Sequence, residues 1–480
     1  MTLARTALPV RWKVFGAAVA GLLVITLWLR GTAAPPAPPS SPTSTPRSIA
    51  VMPFINASPD SSYDYLGEGI GEDLTSALGR IPGLRVAARR SASALSNENP
   101  SAIGRRLGVG TVLLGSIRPV ADRLRVTAHL VSVDGGFDLW SEAYERSEAN
   151  FLSVESDLFA AIVAVLRLRG ADGKKLPPAA EFRTSPAAHA AYLRGRLALE
   201  RSWPASSEPA LAGLEQAIAL DSGYAPAWTG VAEVHIRSFL SESAPPEDVV
   251  PFAREAAERA VELDSTLAAA RITRAVIWLL YDREPGKAAA ELRRAIALNP
   301  NLPDGHHWEA HRLLAVGRPD SALAAAQRAV ETSPFDAALR AHLGWQYLLT
   351  KNDSLAAVAF ARALSLDSSR VALDAHMAWR AVAPPDSGRT YDSLVAAARE
   401  RYVSPYALAV AAVAAGKLEE ATDAIARALA ERTPWVIHAG LDPRLRALRG
   451  TRRFESLLAR LPQTTIPSRQ RPSGPQSSLR

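Results

Sequence analysis

Ala295, Ala329 and Ala363 stand 34 residues apart along the chain. A sequence that repeats a small residue at this spacing builds helix pairs, because two α-helices and two turns take about 34 residues. A lone pair cannot bury its apolar stripe. Stacked pairs can, so the spacing demands an extended array and disfavours a single closed core.

The surrounding residues repeat with the alanines. "ELRRAIALNP" from Glu291, "AAQRAVETSP" from Ala325 and "AFARALSLDS" from Ala359 each read as a second helix running into a turn. Pro300 and Pro334 fall five residues after their alanines, where proline stops one helix and allows the next to begin. Leu343, Gly344, Tyr347, Ala356, Phe360 and Ala363 follow in the order of the tetratricopeptide (TPR) consensus, which this stretch resembles. Gly317 and Gly416 are placed between the helices of their pairs. Ala217 and Ala260 are 43 apart, and "SESAPPEDVVP" after Ser241 reads as an inserted loop that accounts for the excess. About six or seven pairs are expected over residues 185–462, with a disordered tail at 463–480.

The amino terminus has a different character. Arg5, Arg11 and Lys13 precede an apolar run from Val14 to Leu29, flanked by Trp12 and Trp28. About 16 residues at roughly 1.5 Å each reach about 24 Å against a hydrocarbon core of roughly 30 Å, and the tryptophans extend that reach into the interface. The reading is a transmembrane helix over 14–30, behind a cytoplasmic stub at 1–13. The positive-inside rule then exports the bulk of the chain to the periplasmic side of a bacterial inner membrane. A signal peptide cut near Thr32-Ala33-Ala34 is the alternative, opposed by Arg30. The Pro/Ser-rich segment 31–47 reads as an extended spacer.

Residues 48–169 alternate between strand and helix patterns in the order β-α-β-α-β-β-β-α, a small α/β domain. "SIAVMPF" is a buried strand, "RLRVTAHLVSV" alternates as a half-buried strand should, and Asp134-Gly135-Gly136 signals a hairpin. The stretch "SIAVMPFINASPD…YLGEGIGEDLTSALGRIPGLRVAAR", with "IGRRLGVGTVLLGSIRPVADRLRVTAHLVSVDGGFDLWSEAYER", resembles the TolB amino-terminal-like domain, with Met52 in place of the usual leucine. The resemblance implies a bacterial protein that pairs this domain with TPR repeats, often behind a cytoplasmic kinase, cyclase or winged-helix module. No such module is expected here, since about a dozen residues precede the span.

Chemical motifs are sparse. With no cysteine among 480 residues, disulfides and thiol chemistry are excluded. The net charge of +7 is dispersed in pairs such as Arg254-Glu255 and Glu258-Arg259, so no nucleic-acid surface is expected. Gly67, Gly69 and Gly71 do not form a phosphate loop, because acids surround them and no lysine follows. They read as a helix start at which Glu72 and Asp73 complement the dipole. Ser116 lies in a strand and not at a nucleophile elbow.

His307 and His311 in "HHWEAH" are four apart and could share a metal, but Glu309 lies about 200° round the helix from each. The pattern is not H-E-x-x-H, and no third ligand is evident in the sequence. They read instead as groove-lining positions, with metal binding and an ordinary surface role as alternatives. Trp345 is 34 residues beyond His311 and shares its place in the next pair. The expectation is a non-catalytic scaffold without cofactor or metal, with His307, His311 and Trp345 in a groove for a protein or peptide partner. An accessory role in a bacterial signalling or transcription-regulatory system, with its effector on another chain, is the alternative.

Overall fold

The computed structural model describes residues 47–147, 150–168, 183–202, 206–366 and 387–462. The expected span, its stub, the spacer up to Pro46 and the tail lie outside these residues. Among the described residues no helix is long and apolar enough to cross a membrane.

A small sheet comes first. β1 (Ser48–Val51) is parallel to β3 (Arg85–Val86) on one side and β4 (Thr111–Val120) on the other. β2 (Ile55–Asn56) also pairs with β4, and β5 (Arg123–Ser132) and β6 (Asp138–Arg146) continue as an antiparallel meander. The order is β3-β1-β4-β5-β6. Ile49, Ala50 and Val51 of β1 are apolar because both faces of the strand are covered. Ile49 and Val51 pack toward α1 (Asp64–Gly79) and α4 (Phe151–Val165). Ala50 and Met52 pack toward α2 (Arg89–Ser93) and α3 (Pro100–Leu107). β5 alternates as expected, with Leu124, Val126, Ala128 and Leu130 inward.

The three spaced glycines do not open a helix. α1 begins at Asp64, so they lie inside it. A Cβ on Gly67 would come 2.2 Å from the Phe54 carbonyl oxygen, and one on Gly69 2.5 Å from Leu193. The glycines let α1 lie against the end of the sheet and against the first repeat helix. Glu72 and Asp73 turn to side-chain partners there, so their expected dipole role gives way to ion pairing.

The rest is a stack of helix pairs. Among the described residues six pairs are present: α5 (Pro186–Ser202) with α6 (Glu208–Leu220), α7 (Ala225–Leu240) with α8 (Pro246–Leu263), α9 (Ala268–Val276) with α10 (Pro285–Leu298), α11 (Pro303–Ala315) with α12 (Pro319–Thr332), α13 (Ala337–Leu349) with α14 (Asp353–Leu366), and α16 (Pro405–Ala414) with α17 (Leu418–Ala430). α9 ends in a wide π turn over Ile277–Tyr281, and α15 (Ser387–Ala397) precedes α16. Ala217, Ala260, Ala295, Ala329, Ala363 and Ala428 are all buried on the second helix of a pair. Gly317 and Gly416 adopt φ of +70° and +77° between paired helices.

The 43-residue interval has a different cause from the one expected. No long loop is inserted. α7 and α8 have 16 and 18 residues, against 13 and 14 in α13 and α14. Pro246, Glu247 and Asp248 form the first turn of α8, where a missing N–H and negative charge are both favourable.

Sheet and repeats share one apolar core, which runs from Ile49 through Leu193 and Leu292 to Trp308 and Ile437. Asn301, in the turn after α10, closes the edge of the sheet. Its amide donates to the Gly79 and Leu84 carbonyls at 3.1 and 3.0 Å, and its oxygen accepts from the Val86 N–H at 3.1 Å.

Candidate functional site

α11 presents His307, Trp308 and His311 on one face because they lie three and four residues apart. α13 brings His342, Trp345 and Gln346 to the same side one pair later. The rings of His307 and His311 are 4.9 Å apart, those of His307 and His342 4.5 Å, and those of His311 and His342 4.2 Å. A fourth imidazole arrives from the C-terminal segment. His438, at the end of a 3₁₀ turn over Pro434–His438, places its Nε2 3.1 Å from His311 Nδ1. Trp308 and Trp435 pack on His311, with ring centroids at 5.0 and 5.6 Å.

Burial decides the charge of this cluster. It pushes His307 and His438 down to about 4, the latter against the opposing charge of Asp442. His311 and His342 fall well below the ordinary imidazole value through burial and the neighbouring rings. All four are neutral at pH 7, so each offers one acceptor nitrogen. His342 Nε2 lies 3.1 Å from the Gln346 amide nitrogen. The Nδ1 atoms of His307 and His438 are buried without a hydrogen-bond partner among the described residues.

The expected groove residues are therefore brought together, under a cover. His311 is only 7% exposed and Trp345 is half-buried. The Arg444 guanidinium lies 5.3 Å from the centre of the Trp345 ring. Asp442 holds that arginine at 2.6 Å and accepts the Tyr406 hydroxyl at 2.8 Å. Burial alone would raise the Asp442 carboxyl, but the charge and hydrogen bonds of Arg444 outweigh it and hold the group below its usual value. Trp435 Nε1 donates to the Leu240 carbonyl at 3.0 Å, and Arg283 to the Leu429 carbonyl at 2.8 Å. These contacts fold the last segment back onto pairs far earlier in the chain.

The sequence named His307, His311 and Trp345 but missed His342, Trp435, His438 and Arg444. One signal for His342 was available, since it falls 34 residues after Trp308 and so shares that inward position. Nothing in the repeat period pointed to His438 or Arg444.

A second buried cluster joins the α/β domain to the repeats. His189 Nε2 of α5 lies 3.2 Å from Asp73 Oδ2 of α1 and 2.9 Å from Glu155 Oε2 of α4. Its Nδ1 meets the Tyr224 hydroxyl at 3.0 Å. All three ionisable groups are buried. One imidazole of the first repeat helix lies between carboxyl groups of two helices of the α/β domain.

No family model matches the chain. Over 236 residues it is 30% identical to a protein described as putative adenylate cyclase 3 of Rhizobium meliloti (strain 1021). The match takes in 48% of this chain, which spans about 39% of that protein's length. Among solved structures, the chain is similar to YrrB, described as a TPR protein with an unusual peptide-binding site, at 23% identity and a TM-score of 0.27, covering 40% of this chain and 90% of that one. It is similar to PilW, a type IV pilus biogenesis factor, at 16% identity and 0.31, covering 54% and 97%. For TolB from Acinetobacter baumannii the values are 21% and 0.21, covering 25% and 28%. The helix-pair architecture stands on the packing of its own alanines and glycines.

Proposed function

We propose that the protein is a non-catalytic scaffold that holds a protein or peptide partner on the inner face of its helix pairs, exported and tethered to the bacterial inner membrane by the segment 14–30. One observation supports the partner face above others. The stripe that carries His307, His311 and Trp345 already receives a polypeptide, the chain's own C-terminal segment, through Trp435 on His311 and Arg444 on Trp345. Ring stacking and cation–π contacts of this kind are worth about 0.5–2 kcal/mol each and recognise any segment that presents an aromatic or an arginine. A partner of that chemistry would enter by displacing the internal segment. Rigid helices keep the ordering cost of capture low on the receptor side.

The test is a photo-crosslinking residue at position 345, compared in cells with one at position 252, where Phe252 is 57% exposed on another surface. The reading expects a discrete adduct at 345 that is absent at 252. Equal or absent adducts at both positions count against it. A topology reporter fused after Pro46 tests the compartment, with periplasmic activity as the expected result.

The similarity to a putative adenylate cyclase favours a second reading, in which the chain serves a signalling system whose effector lies on another polypeptide. Cellular cyclic AMP that changes when this chain is deleted supports it, and unchanged levels remove it.

A further inference from the structure

The geometry points to a metal site at the buried histidine cluster: His307, His311, His342 and His438 bind one late first-row divalent cation, with Zn²⁺ or Co²⁺ the chemical type. The inference does not rest on the scaffold reading, and a bound ion would hold in place the segment that a partner displaces.

Four features fit such an ion. The donor set is right, because several imidazoles without thiolates suit Zn²⁺, Co²⁺, Ni²⁺ and Cu²⁺ and not Mg²⁺ or Ca²⁺. The spacing is right. Ligand atoms of His307, His311 and His342 all lie within 4.8 Å of one another. Two nitrogens of a tetrahedral zinc site are separated by about 3.3 Å, given Zn–N of roughly 2.0–2.1 Å. His311 Nδ1 and His438 Nε2 already stand at 3.1 Å, so the fourth imidazole abuts the group of three through His311. His307 offers a free nitrogen, since its Nδ1 is buried and spends no hydrogen bond on the described residues, and the ion would replace the hydrogen bond that His311 Nδ1 and His438 Nε2 share. Finally, the surroundings resemble the outer shell of a metal site. Gln346 can steady His342, Trp308 and Trp435 exclude water, and the negative charge of Asp442 acts on His438.

The consequence is topological. Three ligands belong to consecutive helix pairs, and the fourth to the segment that folds over them. A bound ion would staple the C-terminal segment to the inner face. Four neutral imidazoles leave the 2+ charge of the ion largely uncompensated, so binding should be reversible by chelators.

The full chain, stripped with EDTA and dialysed, is titrated with Co²⁺. One equivalent is expected, with the visible absorption of tetrahedral cobalt, and Zn²⁺ should bleach it. His342→Ala and His438→Gln should each weaken cobalt binding by more than about 100-fold. His129→Ala, on the outer face of β5, should leave it unchanged. Circular dichroism identifies which variants fold. Should His342→Ala unfold, His438→Gln alone decides, because its side chain lies outside the helix pairs. Wild-type protein that takes up no stoichiometric cobalt overturns the assignment, and so does a folded His438→Gln protein that keeps the wild-type band and affinity.

Discussion

His311 Nδ1 and His438 Nε2 stand 3.1 Å apart although 127 residues separate them in the chain. The contact reports how the repeat stack ends: its last segment turns inward and covers the face that earlier pairs present. Arg444 is the outer clasp of that cover. Arg444→Ala removes the stacking on Trp345 and leaves Asp442 buried without its cation. Removal of one partner from a buried pair costs about 3–5 kcal/mol. The expected result is faster hydrogen exchange over residues 433–449 with the amides of α7 to α10 unchanged. Uniform protection in both proteins would show that Arg444 does not hold the segment.

Two glycines should respond to alanine in opposite directions. A Cβ on Gly213 of α6 would sit 2.7 Å from Gly195 Cα of α5, against backbone that cannot rotate away. The helix-propensity gain of about 1 kcal/mol is outweighed by overpacking of about 1–3 kcal/mol. Gly286, in the first turn of α10, has nothing within 4 Å of its would-be Cβ. Gly286→Ala should raise the melting temperature and Gly213→Ala should lower it. Shifts of the same sign would contradict the close crossing of α5 and α6.

Asn301→Ala should loosen the sheet edge. The substitution deprives the Val86 N–H and the Gly79 and Leu84 carbonyls of their partner at once. A buried polar group left unpaired costs about 1–3 kcal/mol. Urea denaturation should show a loss of that order, with accelerated exchange at Val86. A loss below about 0.5 kcal/mol would mean that water replaces the side chain.

Glu242 makes stability depend on pH. Its carboxyl is raised to about 7 by burial, against the lowering influence of the Ser404 hydrogen bond and Arg444. Tyr402 and Tyr406 are titrating groups within its field. Between about 4.5 and 7 the folded state therefore binds more protons at this site than the unfolded state, and stability falls as pH rises through that window. Glu242→Gln should flatten this part of the profile and melt higher than the parent at pH 8. A parent and variant with parallel profiles from pH 5 to 8 would refute the assignment.

His189→Ala leaves Asp73 and Glu155 without the imidazole that joins them. A loss of about 1–3 kcal/mol is expected, because buried polar groups then lose the imidazole that lies between them. Adding Glu155→Gln should recover part of it, and the double-mutant cycle measures how much of the tie is electrostatic.

The repeats were legible because their information is local. A small residue every 34 positions, with Pro300 and Pro334 five residues later and Gly317 and Gly416 in their turns, states the helix pair in a single stretch of chain. The α/β domain was legible for the same reason, through the double-sided apolar run at Ile49–Val51 and the alternation of β5. Errors arose where a local signal was outvoted by packing. Gly67, Gly69 and Gly71 looked like a helix start, but their need is set by Phe54 and Leu193. The surplus residues after Ser241 looked like a loop, but they extend α7 and α8.

The candidate site divides along the same line. Period alone placed His311 and Trp345 on equivalent turns of successive pairs, because a helix face is determined by residue spacing. That His438 joins the imidazoles of the two neighbouring pairs, and that Arg444 lies on Trp345, followed from how far the stack turns before its end meets its middle. Curvature accumulates from small rotations at every interface between pairs, and no stretch of sequence contains the sum.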